Sequence, residues 1–252
     1  HHRPRVARQR PGQPRMNLIL LAPDEVASGR FTLTDARADH LRTVLHAEPG
    51  DRFQAGVTDG PIGILTVVGV GEDGVTVDFS PEGEAQPPWY DLVLALTRPR
   101  QLRRILFQSA TLGVRDLFLV GAAKVEKSYF NMHLLREEEY RPILLEGLMQ
   151  GKTTAVPRVR LFPKLRDLWG GLPTVGTRLI ANPAPEGAPD PALDRATPPI
   201  IAIGPDGGWS EAENAAFAAH GFAPISLGPR PLRTDTAAVA LPAVIADRLR
   251  RA

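Results

Sequence analysis

Ile201-Ala202-Ile203-Gly204-Pro205-Asp206-Gly207-Gly208-Trp209-Ser210-Glu211-Ala212-Glu213 carries a short apolar run straight into a glycine turn and then the start of a helix. An apolar run without polar alternation suits a strand buried on both faces, as in a parallel sheet. Glycines at 204, 207 and 208 let a ligand approach the backbone and permit positive φ, and the helix start offers unpaired N–H donors. Ligands of open parallel sheets bind beyond the carboxyl ends of the strands, so this turn is the first candidate site. Its spacing is neither Gly-x-Gly-x-x-Gly nor the lysine-bearing phosphate loop, which speaks against nucleoside triphosphate hydrolysis. Ser210 and Glu213 have the spacing of a capping box. Trp209 is placed either to stack on a planar ligand or to pack on its own helix.

Outward from this turn, strand-like and helix-like segments alternate. Strands are expected at 90–96, 116–120, 178–181, 199–203 and 225–227, with helices near 101–112, 137–149 and 237–249. This is the pattern of an α/β domain with a mostly parallel sheet. Residues 182–198 are proline-rich without apolar period and read as a surface excursion. Upstream, 17–80 reads as short β runs punctuated by Pro49-Gly50-Asp51, Asp59-Gly60-Pro61 and Glu72-Asp73-Gly74, with one helix inserted at 35–47. The expected organisation is therefore a disordered arm or tag remnant at 1–15, a small β-barrel at 16–80, a polar proline-rich linker at 81–88 and an α/β domain at 89–252.

Composition narrows the chemistry. The chain has 252 residues, 43% of them hydrophobic and 23% charged, as in ordinary globular proteins. It has no cysteine, which excludes disulfides, a thiolate nucleophile and Cys-ligated zinc, and its histidines are scattered, so no metal site is expected. The formal net charge is +2, but residues 1–15 contribute five arginines and no acid, leaving 25 basic against 28 acidic residues thereafter. Any affinity for nucleic acid must then come from a local patch. Arg98, Arg100, Arg103 and Arg104 could form one on the helix near 101–112, or simply a solvated face. No apolar run is long enough to span a bilayer and no signal peptide is visible, so a cytoplasmic location is expected.

The second informative stretch is Leu227-Gly228-Pro229-Arg230-Pro231-Leu232-Arg233-Thr234-Asp235-Thr236, a rigid loop running into the last helix. Thr234 or Asp235 is suited to cap that helix, whereas Arg230 and Arg233 have backbones confined by two prolines and are candidates for contacting RNA or a reacting group.

Together, Gly204-Pro205-Asp206-Gly207-Gly208-Trp209-Ser210-x-x-Glu213 and Leu227-Gly228-Pro229-Arg230-x-Leu232-Arg233-Thr234-Asp235-Thr236-Ala237 resemble the paired signature of the ribosomal RNA small subunit methyltransferase E family, in the SPOUT superfamily. His40-Leu41-x-x-Val44-Leu45 with Gly50-Asp51, and Gln108-Ser109-x-x-Leu112-Gly113-Val114, extend the resemblance. It implies a PUA-like β-barrel that binds RNA, a SPOUT domain threaded as a trefoil knot, a homodimer, and S-adenosylmethionine as cofactor. The activity implied is methylation of N3 of a uridine in 16S ribosomal RNA, with ribosomal RNA or the small subunit as partner and neither metal nor membrane. Carried onto this chain, Gly204, Pro205, Gly207, Gly208, Leu227, Gly228, Leu232 and Thr234 would surround the cofactor, with Asn182 in a third loop. The chemistry requires that N3 lose its proton, for which Arg233 is the first candidate to stabilise developing charge, Arg230 the second, and Asp235 the best carboxylate. The chain departs from the family pattern at Gln101, Gln108 and Thr111, where many members carry lysines along this helix and a Glu before Leu-Gly, at Met149-Gln150-Gly151-Lys152-Thr153, and at His46. The alternatives are a SPOUT enzyme acting on a different RNA nucleotide and a non-catalytic RNA-binding assembly factor.

Overall fold

The computed structural model describes residues 17–27, 29–182 and 191–251. The arm expected at 1–15, Met16 and Pro183 lie outside the described residues. The chain forms two compact units, one of residues 1–87 with 148–155, the other of 88–147 with 156–252.

The first unit is built on a five-stranded sheet of β1 (Ile19–Leu21), β2 (Arg30–Leu33), β3 (Arg52–Val57), β4 (Ile62–Gly71) and β5 (Gly74–Gly83), in the order β1-β3-β4-β5-β2. Only β1 and β3 run parallel; the other neighbours are antiparallel. Alternation does the sorting, since Leu65 and Val67 of β4 and Val75 and Val77 of β5 point into a core with Leu21, Leu33, Leu41 and Ala55. The helix expected over 35–47 is shorter and of two kinds. Helix α1 (Pro23–Val26) precedes it, α2 spans Ala36–Asp39, and the chain then widens into a π-helical turn at His40–Val44. β5 continues through Pro81 to Gly83, three residues into the stretch expected as linker, because Pro81 and Gly83 still pair with Gly63 and Ile62.

The second unit holds six strands, all parallel: β6 (Tyr90–Ala95), β7 (Val114–Val120), β8 (Arg158–Phe162), β9 (Arg178–Ala181), β10 (Ile200–Ile203) and β11 (Ala223–Ile225), in the order β11-β9-β10-β6-β7-β8. Helices α3 (Pro99–Thr111), α4 (Glu137–Gly151), α5 (Glu211–Ala219) and α6 (Thr234–Arg251) connect or follow them. The central strands are buried along their length, as the unalternated sequence requires, and Val93, Phe118, Ile180 and Ala202 meet Phe217 of α5 in one core. β8 escaped the sequence reading because Arg158-Val159-Arg160-Leu161 is an exposed edge. The last strand ends at Ile225 and not at Leu227, since Gly228 takes a positive φ of 102° and the chain must turn towards α6.

Near the start of the strands, Arg115 makes a two-pronged pair with the fully buried Asp91, at 2.9 and 2.6 Å, and Arg158 reaches Asp116 at 2.6 Å. At the other end the chain leaves β6 towards β7 on one side, while β10 lies on the other. That reversal of strand order places the carboxyl ends of β6 and β10 at a switch point, where a crevice opens.

Candidate active site

Three segments converge at the switch point: the exit of β6 into α3, the turn 204–209 after β10, and the loop 226–234 before α6. The glycine turn is held from within. Trp209 is 5% exposed, with its ring centroid 4.7 Å from that of Phe217, so it packs on its own helix and offers no face to a ligand. A side chain at Gly204 would come within 3.0 Å of the Trp209 indole nitrogen, and Gly208 has a φ of 68°, so both positions need glycine. The capping box is formed, with Ser210 Oγ accepting from the Glu213 N–H while Glu213 accepts from the Ser210 N–H at 2.7 Å. Glu213 also accepts from the Ala123 N–H at 2.7 Å, and Lys124 Nζ donates to the Gly207 carbonyl at 2.6 Å, tying the exit of β7 to the turn. Sequence spacing gave no signal for Lys124, which is 83 residues from its partner.

Thr234 joins the two signature stretches. It begins α6 but is buried, and its hydroxyl lies 3.0 Å from the Gly204 carbonyl and 3.1 Å from Asp206 Oδ1, while its N–H donates to the same carboxylate oxygen. The hydroxyl is therefore used on the glycine turn instead of closing its own helix. Gln101, buried on α3, directs its amide nitrogen at Asp206 (3.2 Å) and Asp235 (3.4 Å). Burial resists ionisation of Asp206, but the Thr234 N–H, the Gln101 amide, the Thr234 hydroxyl and the charge of Arg233 outweigh it and hold this carboxyl below the usual range.

Around these carboxylates the cations are loosely paired. Arg98 lies 3.9 Å from Asp206, and Arg104 and Arg233 lie 3.7 and 3.3 Å from Asp235. Arg98, Arg100, Gln101, Arg104 and Arg233 line a cleft of about 340 Å³. Four guanidinium groups against two carboxylates leave it positive, and it opens beside the N-terminus of α3, whose helix dipole also favours an anion. Of the sequence candidates, Gly204, Arg233, Thr234 and Asp235 are thus brought together, around Asp206, which the sequence did not single out. Arg230 is exposed and forms no ion pair among the described residues, and Leu232 is 43% exposed. Asn182 bonds the Ile225 carbonyl at 3.3 Å and, through its amide, Asn214 at 2.6 Å. Among the described residues no group of three acidic or histidine side chains is arranged to hold a metal ion, and no helix is long and apolar enough to cross a membrane.

Residues 84–246 match the model of the RNA methyltransferase domain family. The ribosomal RNA small subunit methyltransferase E of Treponema pallidum is 32% identical over 241 residues, covering 91% of this chain and 90% of that protein. The chain is an RNA methyltransferase of the ribosomal RNA small subunit methyltransferase E family. A Borreliella burgdorferi member, ribosomal RNA small subunit methyltransferase E 1, is 24% identical over 93% of this chain and 99% of its own length. The crystal structure of the Neisseria gonorrhoeae ribosomal RNA small subunit methyltransferase E, bound to S-adenosyl methionine, has a TM-score of 0.74 at 21% identity and covers 92% of this chain and 98% of that one. A Legionella pneumophila methyltransferase in complex with its cofactor has a TM-score of 0.70 at 24% identity, covering 92% and 98%. These two structures share the fold. Within the family frame the matched segment contains every element of the crevice, from Arg98 to Asp235.

Proposed function

We propose that this protein transfers the methyl group of S-adenosylmethionine to N3 of a uridine in the 16S RNA of the small ribosomal subunit. The reading includes a trefoil-knotted SPOUT domain at 89–252, a PUA-like RNA-binding module at 16–80, and a homodimer working in the cytoplasm. The observation that carries it is the junction at Thr234, which locks the glycine turn to the arginine loop and so sets Arg233 in the wall of a positive cleft with Asp235 paired to it.

The loops suit the cofactor. Gly208 and Gly228 have open space where a side chain would stand, and the N–H groups of Leu227 and Leu232 have no hydrogen-bond partner among the described residues. Such a backbone can read the edge of an adenine, with Gly204, Pro205, Gly207 and Asn182 completing the surroundings. When bound, S-adenosylmethionine supplies an electrophilic methyl group on a sulfonium.

The chain must do the rest. N3 of uracil is protonated at neutral pH, and a nucleophilic lone pair in the ring plane appears only when that proton leaves. Asp235, which lies beside Arg104 and Arg233, takes the proton from N3. Arg233 stabilises the negative charge that develops on the uracil oxygens, with Arg230 of the same loop the second candidate for that role. N3 lies on the pairing edge, so the base must be splayed out of any duplex, which suits recognition of unstacked RNA.

The test is incubation with labelled S-adenosylmethionine and small subunits from a strain lacking the endogenous enzyme, followed by mass-spectrometric mapping. One N3-methyluridine in the small-subunit RNA is expected. Methyl transfer to another nucleotide would overturn the uridine assignment, and cofactor binding without transfer would overturn the activity.

A further inference from the structure

The cleft is lined by four arginines and a glutamine and has no ring in its wall. Guanidinium groups hold phosphates and polar edges, but an unstacked base that leaves its neighbours is held in proteins mainly by stacking on an aromatic face. Trp209, the aromatic residue nearest in sequence to the glycine turn, is turned into the core. The ring must come from elsewhere.

The chain leaving β7 supplies a candidate. Residues 121–126 are fastened to the site at two points, by the Ala123 N–H on Glu213 and by Lys124 Nζ on the Gly207 carbonyl. They lead into a 3-10 turn at Lys127–Asn131, whose two aromatic residues diverge. Phe130 lies over Gly121 at the end of β7, where a side chain on that glycine would come within 2.8 Å of the ring. Tyr129 is half-buried and its hydroxyl donates to Glu126 Oε1 at 3.1 Å, which fixes the ring. Tyr129 follows Lys124 by five residues, and Lys124 is fastened to the carbonyl of Gly207, next to Asp206, so the phenol is carried on the segment that the glycine turn holds. Lys124 and Lys127 are exposed beside it, and neither forms an ion pair among the described residues, so both ammonium charges are available to a backbone phosphate.

Resting on the reading of the protein as an RNA methyltransferase of unstacked bases, we propose that Tyr129 is the stacking platform for the target base or its immediate neighbour, with Lys124 and Lys127 holding the adjoining phosphates. The Glu126 contact orients the ring before RNA arrives, so little rotamer freedom is lost on binding. The platform is specific for unstacked nucleic acid and makes no demand on the cofactor.

The test measures KM for small subunits, cofactor affinity by calorimetry and filter binding of small-subunit RNA for the wild type, Tyr129→Phe, Tyr129→Leu and Tyr129→Ala. Loss of one base–aromatic stack corresponds to an increase of about 5- to 150-fold in KM for RNA in the Leu and Ala variants. Cofactor affinity and melting temperature should not move, and Tyr129→Phe should raise KM far less than Tyr129→Leu, because the π face is preserved and only the orienting hydroxyl is lost. A wild-type KM in Tyr129→Leu would overturn the platform, and so would an equal loss in Tyr129→Phe, since that would assign the effect to the hydroxyl. If the wild-type protein transfers no methyl group, the functional reading fails by itself. The platform then stands only if filter binding separates Phe from Leu, and falls if it does not.

Discussion

Both ends of the parallel sheet set aspartates against arginines, and the two clusters are built in opposite ways. At the start of the strands, Asp91 and Asp116 are buried, the bonds to Arg115 and Arg158 are as short as 2.6 Å, and one pair is two-pronged. At the carboxyl end, the closest of the three ion pairs is 3.3 Å and the arginines are more than half exposed. Exposed pairs of that kind contribute about 0–1 kcal/mol, so a phosphate or another negatively charged group can take over their arginines at small cost. The first cluster pins strands together; the second holds cations in readiness. Their acids differ accordingly. Burial pushes Asp91 up despite Arg115, whereas the hydrogen bonds to Asp206 outweigh its burial and hold it down.

The comparison can be broken most directly at Arg233. Arg233→Ala is expected to lower single-turnover transfer by about 100- to 1000-fold, the usual loss of one charge-stabilising donor, while a side chain this exposed changes stability by no more than about 0.5 kcal/mol. Full rate in that variant would remove Arg233 from the chemistry.

At the opposite end, Arg115→Leu strands a buried carboxylate and should cost about 3 kcal/mol in urea unfolding, with the catalytic constants of the remaining folded protein unchanged. The cost has a pH signature. A carboxyl whose folded pKa is raised binds its proton more tightly in the native state, so the stability it contributes is full at low pH and is lost as pH rises. The Arg115→Leu deficit should therefore be small near the ordinary aspartate pKa of about 3.9 and grow as pH climbs through the raised value. Asp206 has the opposite sign, since its contribution is present above the unfolded pKa and declines as acid protonates it. A deficit that did not change with pH would mean that Arg115 acts by packing alone.

Smaller effects sharpen the contrast. Thr234→Val keeps the shape of the buried side chain but leaves the Gly204 carbonyl short of a donor, an expected loss of about 1 kcal/mol in stability accompanied by weaker cofactor binding in calorimetry. Weaker cofactor binding separates a junction within the site from a merely structural bond. Arg98→Ala should leave stability and cofactor affinity unchanged and reduce the slope of log affinity for RNA against log salt by about 0.7–0.9, the signature of one phosphate contact. An unchanged slope would make Arg98 a solvated charge.

Much of this was legible in the sequence, and what was not shares a cause. Short-range chemistry reads well: the glycine turn, the Ser210–Glu213 cap and the buried strand at 200–203 all follow from spacing within one stretch. Long-range pairing does not. Gln101 reads as a departure from a lysine pattern, and only its place between Asp206 and Asp235 shows why an uncharged donor suits it, since an amide can bridge two carboxylates without drawing either into a tight ion pair. Thr234 reads as a helix cap, but its partners are about thirty residues earlier. Edge strand β8 lacks an apolar run because one side of it meets solvent. Asp91 and Asp116, ordinary polar letters in a strand, gain meaning only when three strands stand side by side.

The Gln101 bridge also has a consequence for how the molecule comes into being. Its two ends are 134 residues apart, so on the ribosome the arginines of α3 emerge long before the carboxylate of Asp235 that partners Arg104 and Arg233. During that interval the growing chain displays cations without their counter-charges, next to the RNA-rich machine that is making it. Only when α6 folds against α3 and Thr234 closes on Gly204 does the loose cluster acquire its second acid, Asp235. Completion of the chain thus sets Asp235 beside Arg104, so a fragment ending before residue 234 should bind RNA with less regard to sequence.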